Sequence, residues 1–247
     1  MKLAETCGCF PTGRHYPGIA HLLKVRAVGV ASEHDANGAW VDIPIALIDT
    51  ETTGRDANQD RIVEIGIVLG VKGEVTRRFS QLIDPGRPIP AESSAVHGIK
   101  DADVAGKPKF AEIAGEILAF LGDAIPAAYN AAFDRGFVLA ELDRAGVRPT
   151  AAPPAMRRDV DWIDPLAFAR ELYKQEESRA LGDMAARLGI DLERAHRATD
   201  DAEAALKILY TFAKDPRVPR AYGGLIQEQR RLLRQQDEAR KLWRKPS

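Results

Sequence analysis

The hexapeptide Asp49-Thr50-Glu51-Thr52-Thr53-Gly54 follows a short apolar run at residues 43–48. A run of that length, bounded by polar residues, reads as a buried strand. On a strand, alternation places Asp49 and Glu51 on one face. Two neighbouring carboxylates repel each other and resist ionisation unless a positive charge lies between them. A divalent cation is the usual counter-charge. The hexapeptide therefore reads as half of a metal site, and the fold must bring further ligands to the end of this strand.

The chain beyond it alternates strand-like and helix-like segments. Residues 61–71 (RIVEIGIVLGV) are β-branched and alternating, Lys72-Gly73 is a turn signal, and residues 75–83 read as a hairpin partner. Residues 109–121 carry Phe110, Ile113, Ile117 and Phe120 at helical spacing. Residues 125–129 read as a short strand. Residues 131–145, 164–173, 181–188 and 199–212 read as helices, with Gly146 just past the first of these. A hairpin followed by strand–helix alternation predicts an α/β fold with a mixed sheet flanked by helices.

Three parts are expected: an irregular N-terminal extension at residues 1–42, a central domain at 43–213, and a tail at 214–247 set off by Pro216 and Pro219. The net charge is −1, yet the tail holds ten Lys or Arg against four Asp or Glu, so the remainder is acidic by seven. An acidic body suits a carboxylate metal site, and a basic tail attracts polyanions. The tail reads as an amphipathic helix over residues 224–245, with Leu225, Ile226, Gln229, Leu232, Leu233, Gln236 and Trp243 on one stripe. Core packing, nucleic-acid binding and partner docking all suit that pattern. No apolar run approaches the roughly 20 residues of a membrane span. The first residues lack a signal-peptide core, and two cysteines make no disulfide framework, so a cytoplasmic location is expected. Cys7, Cys9, His15 and His21 lie within fifteen residues and are Zn²⁺-ligand types, although C-x-C is tighter than the usual spacing. Two reduced thiols in an N-terminal arm are the plainer reading.

Two further acidic segments stand out. Tyr129-Asn130-Ala131-Ala132-Phe133-Asp134 crosses from strand to helix and puts Asp134 in a first helical turn, where the helix dipole favours a carboxylate. His196-Arg197-Ala198-Thr199-Asp200-Asp201 puts a histidine in a loop before the 199–212 helix and Asp201 in that helix's first turn. Thr199 or Asp200 is a ready cap there.

Asp49, Glu51, Asp134, Asp201 and His196 together resemble the DnaQ-like, or DEDDh, family of 3′→5′ exonucleases, over roughly residues 45–212. The carriers are D-x-E-T-T-G at Asp49–Gly54, the segment around Asn130 and Asp134, H-x-x-x-x-D at His196 and Asp201, and Val96-His97-Gly98-Ile99. The strand from Arg61 to Gly66 also fits. Tyr129 stands where family members often carry His. The resemblance implies an RNase H-like fold and hydrolysis of terminal phosphodiesters to nucleoside 5′-monophosphates. It also implies two Mg²⁺ or Mn²⁺ ions. By the family pattern Asp49 bridges both ions, Glu51 and Asp201 complete the site for the attacking water, and Asp134 supports the second ion. His196 would be the general base, with an ordinary pKa of about 6.5. Thr52, Thr53, Gly54, His97 and Asn130 are the expected contacts to the 3′ end of a single strand, with the backbone amides after the strand available to it. Single-stranded DNA is the leading substrate. A proofreading subunit working beside a DNA polymerase and an RNA 3′-end trimming enzyme are the alternatives within the family. A phosphatase with an aspartyl nucleophile is the alternative outside it, and Glu51, His196 and the histidine-glycine motif weigh against it.

Overall fold

The computed structural model describes residues 28–147, 152–192 and 197–243. Four strands form one sheet: β1 (Ile45–Thr52), β2 (Ile62–Val71), β3 (Glu74–Leu82) and β4 (Ile125–Ala127), in the order β3-β2-β1-β4. The sheet is mixed, as expected. β2 lies antiparallel to both β1 and β3, and β4 lies parallel to β1. β2 is buried on both faces along almost its whole length, which is why its sequence is nearly continuously apolar. β3 is an edge strand whose polar residues face outward. Lys72 and Gly73 both have positive φ (56° and 88°), the backbone a two-residue hairpin needs to match strand twist. β4 stops two residues short of the expected 125–129 strand. The chain there bonds instead to the 163 segment, with Ala128 N donating to the Ile163 carbonyl, and then turns at Asn130.

Eight helices complete the described part: α1 (Ala91–His97), α2 (Asp101–Val104), α3 (Phe110–Leu121), α4 (Ala131–Arg144), α5 (Pro165–Leu172), α6 (Leu181–Arg187), α7 (Ala198–Phe212) and α8 (Tyr222–Trp243). The short α1 and α2 were not expected from periodicity. They lie between Pro90 and Gly106, where few apolar positions mark a period. Alternation on β1 splits the core in two. Ile45 and Leu47 face a cluster containing Phe168 of α5, Leu206 and Leu209 of α7, and Leu225 and Ile226 of α8. Ala46 and Ile48 face a cluster containing Ile113 and Ile117 of α3 and Phe137 and Val138 of α4. The sheet is thus sandwiched between helical layers.

Both flanks of the central segment share this core. Trp40 stacks on Tyr210 of α7 at 6.2 Å with the rings nearly parallel. α8 buries Tyr222, Leu225, Ile226 and Leu232. Gln229 fastens it to the sheet margin, accepting from Asp164 N (2.7 Å) and donating to the Trp162 carbonyl (2.8 Å). The stripe from Leu225 to Leu232 is therefore spent on packing. No helix among the described residues is long and apolar enough to cross a membrane. Cys7, Cys9, His15 and His21 lie outside the described residues.

Candidate active site

The C-terminal end of β1 carries the site. Asp49 and Glu51 point to the side covered by α7, and Asp201, in the first turn of α7, meets them there. One oxygen from each of the three carboxylates lies within 4.8 Å of the other two. Asp201 is buried, and Asp49 and Glu51 are half-buried.

Two features of β2 allow α7 to come so close. Gly66, paired with Asp49, faces the start of α7, and a Cβ there would overlap the Ala198 carbonyl carbon and the Thr199 amide nitrogen. Gly70, four residues further along the same face, makes room for Leu206 and Tyr210. Glu64, paired with Glu51 across the strands, is buried and ion-paired to Arg197 at 2.7 Å. Arg197 is the residue at the N-terminal boundary of α7, and its side chain makes no cap hydrogen bond to the helix. Thr199 and Asp200, expected as caps, fall inside the first turn because the helix begins at Ala198.

Asp134 arrives from the opposite layer. It sits in the first turn of α4, buried, and its Oδ1 accepts from both Thr50 N (2.9 Å) and Thr50 Oγ1 (2.8 Å). Thr50 points away from Asp49 and Glu51, towards α4, so the strand itself links the fourth acid to the other three. α4 is held in turn by Arg61, whose guanidinium bonds both oxygens of the buried Glu141 at 2.5 and 2.8 Å.

The electrostatics are those of an acid cluster that lacks enough positive charge. Burial pushes the Glu51 carboxyl up to about 8, with Asp201, Glu64 and Asp134 adding to it and Arg197 opposing. Burial likewise raises Asp134 to about 7, against the pull of its Thr50 hydrogen bonds. Asp49 is raised well above the ordinary range by burial and then by Asp134, Asp201, Glu51 and Glu64. Oxygen donors in this number, mutually repelling and within 4.8 Å, fit a hard divalent cation.

A groove of about 1020 Å³ opens beside the acids, and Thr50 to Gly54, His97, Asn130, Val96 and Phe133 are among its lining residues. All five expected substrate contacts therefore border it. Their local roles differ. Thr53 N already donates to the Arg61 carbonyl (2.9 Å), so that amide is not open to a ligand. Thr52 Oγ1 donates to the Gly54 carbonyl (2.6 Å). Gly54 lacks a side chain because the Asp60 carboxylate occupies that space, closing the 53–60 loop. His97 ends α1, and its Nδ1 accepts from Ile99 N at 3.1 Å, a turn that Gly98 permits at φ 76°. Asn130 is exposed in a left-handed conformation (φ 74°), with its amide donated to Asp164. Tyr129 points its hydroxyl to the Arg179 carbonyl (2.7 Å), tying β4 to the segment before α6. His196 lies outside the described residues.

Sequence reading singled out the four acids and the Val96–Ile99 motif but not the supports Thr50, Glu64, Arg197 and Gly66, nor the groove wall Phe133. Glu64 carried a signal: an acid inside an otherwise apolar central strand has to be paired. Val96 is 58% exposed and lines the groove, so it is not part of the core.

Comparison with known proteins agrees with this geometry. A family model described as Exonuclease matches residues 46–209. The DNA polymerase III PolC-type of Streptococcus suis is 34% identical over 214 residues, 83% of this chain and 14% of that protein. The chain thus spans a small fraction of such a relative's length. Among solved structures, Exonuclease X in complex with 5′ overhanging duplex DNA is similar with a TM-score of 0.57 and 24% identity, over 73% of this chain and 99% of that one. Exonuclease I of E. coli in complex with a dT13 oligonucleotide gives 0.62 and 19%, over 71% and 42%.

Proposed function

The chain belongs to the DnaQ-like 3′→5′ exonuclease family, and we propose that it removes nucleotides from the 3′ end of single-stranded DNA with two Mg²⁺ or Mn²⁺ ions. The observation that carries this reading is the cluster of Asp49, Glu51 and Asp201, with Asp134 tied in through Thr50, beside an open groove. When bound, the ions supply the positive charge that steadies the attacking and leaving oxygens of an in-line displacement.

The chain's own residues do the rest. Asp49, Glu51 and Asp201 hold the cations, and Asp134 completes the set from α4. Val96 and Phe133 offer an apolar surface for the terminal base, while Asn130, His97 and the Thr52–Gly54 turn fix the sugar and phosphate. His196, five residues before Asp201, accepts a proton from the attacking water. The water oxygen bonds to phosphorus, the bond to the upstream O3′ breaks, that oxygen takes a proton, and a nucleoside 5′-monophosphate departs. The nuclease neighbours solved with DNA support this substrate class.

Digestion of 5′-labelled single-stranded DNA, duplex DNA and RNA with Mg²⁺, Mn²⁺ or EDTA tests the proposal. Stepwise shortening of single-stranded DNA, abolished by EDTA and by Asp49→Ala or His196→Ala in folded protein, is expected. Full activity in either variant refutes the assignment.

The PolC-type relative favours a second reading, in which the chain proofreads beside a DNA polymerase in the cytoplasm. Stable co-purification with a polymerase subunit, together with weak activity alone, would select it over the first.

A further inference from the structure

α8 lies outside the residues matched by the family model, which end at 209. One side of it packs on the core. The other forms, with α5 and the start of α4, a groove of about 510 Å³ that shares Asn130 with the groove beside the acids. The second groove therefore borders the first at Asn130.

Its lining is rich in guanidinium groups: Arg135, Arg170, Arg230, Arg234 and Arg240. Three carboxylates share the groove, and each has a partner. Asp161 is paired with Arg230, Asp237 with Arg240 at 3.6 Å, and Asp164 accepts from the Asn130 and Leu166 amides. Arg135, Arg170 and Arg234 are in no ion pair with a described residue. Among the described residues, Arg135 bonds only the Arg158 carbonyl (2.7 Å), and its buried Nε finds no partner. Among the described residues, Arg170 hydrogen-bonds only Gln236, at 3.3 Å. Burial and the like charge of Arg240 hold the Arg170 guanidinium below its ordinary value, against the pull of Asp164. On α8, Arg230 and Arg234 stand one helical turn apart, about 6 Å along the axis. A row of five guanidinium groups beside a 3′-end site, three of them in no ion pair with a described residue, suits the phosphates of an extended strand.

We propose that the groove between α4, α5 and α8 binds the phosphodiester backbone of the single strand upstream of its 3′ end. The proposal rests on the exonuclease reading for the direction of the strand. It makes α8 a phosphate track added to the family domain, and it favours substrates long enough to reach that track.

The test is equilibrium binding of the full chain to a fluorescein-labelled oligothymidylate of about 15 nucleotides in EDTA, across a salt series, beside cleavage of long and very short strands in Mg²⁺. Each phosphate contact on a single strand contributes about 0.7 to the slope of log K against log salt. Arg170→Gln with Arg234→Gln should flatten the slope by about 1.4 and weaken binding roughly 25-fold at about 0.1 M salt. Cleavage of a dinucleotide should stay unchanged while the preference for long strands falls. If the double variant unfolds, Arg234→Gln alone, at an exposed position, should flatten the slope by about 0.7. Arg231→Gln, exposed and paired with Glu228 outside the groove, is the control. An unchanged slope in the groove variants, an equal loss in the control, or an equal loss on dinucleotide and long strand overturns the proposal. Tight, groove-dependent binding by a wild-type chain that cleaves nothing would instead refute the exonuclease reading and leave the track standing.

Discussion

Replacing Glu51 by Gln should stabilise the metal-free protein while removing its activity. Glu51 titrates near 8 in the folded protein against 4.5 ordinarily, because it is buried among Asp201, Glu64 and Asp134. A carboxyl raised on folding leaves stability intact below about pH 4.5 and erodes it as pH climbs towards 8. At pH 7 the linkage amounts to about 3 kcal/mol, at about 1.4 kcal/mol per pKa unit, and it approaches its ceiling of about 5 kcal/mol by pH 9. Gln cannot ionise and keeps the shape, so it lifts that penalty. For a domain of this size, 3 kcal/mol corresponds to roughly 6–12 °C in Tm. The assay is thermal unfolding of both proteins in EDTA from pH 5 to pH 9. Their Tm values should converge at the acid end and separate as pH rises, with the variant higher. Mg²⁺ at a hundred times its Kd should restore the wild type by about 2.7 kcal/mol and do little for the variant. A variant that is no more stable at pH 8 than at pH 5, relative to wild type, would show that the acid cluster is not under charge strain.

Gly66→Ala should destabilise by about 1–3 kcal/mol through overpacking against the start of α7. Because that shift moves Asp201, kcat should fall more than the stability loss explains, which denaturant unfolding beside cleavage rates would reveal. Arg197→Ala leaves Glu64 buried without its ion pair. Since the Arg197 side chain is 45% exposed, the cost should be about 1–3 kcal/mol rather than the full penalty of a buried pair, and urea titration checks it. Thr50→Val removes the hydroxyl bond to Asp134 but keeps the amide bond. It should raise the Mg²⁺ concentration needed for half-maximal activity several-fold while moving Tm little.

The acids were legible in the sequence because each sits at a boundary that local rules can place: the end of an apolar strand for Asp49 and Glu51, the first turn of a helix for Asp134 and Asp201. The mixed sheet was legible for the same reason, since β-branched alternation and the Lys72-Gly73 turn are local signals. Local rules do not say which layer a helix joins. Strand alternation sends Asp49 and Glu51 towards α7 and Thr50 towards α4, so Asp201 completes a tight cluster with the first pair while Asp134 is coupled through Thr50. The flat list of four acids hid that division. The glycines of β2 were hidden for a related reason. Within RIVEIGIVLGV, Gly66 and Gly70 look like defects in a good strand, and each weakens it in isolation. Placed on one face, four residues apart, they form the channel along which α7 lies. The acid inside the same strand, Glu64, fixes where that helix begins. The central strand thus spends three of its ten positions on holding α7, and the carboxylate α7 delivers is the one that β1 cannot supply for itself.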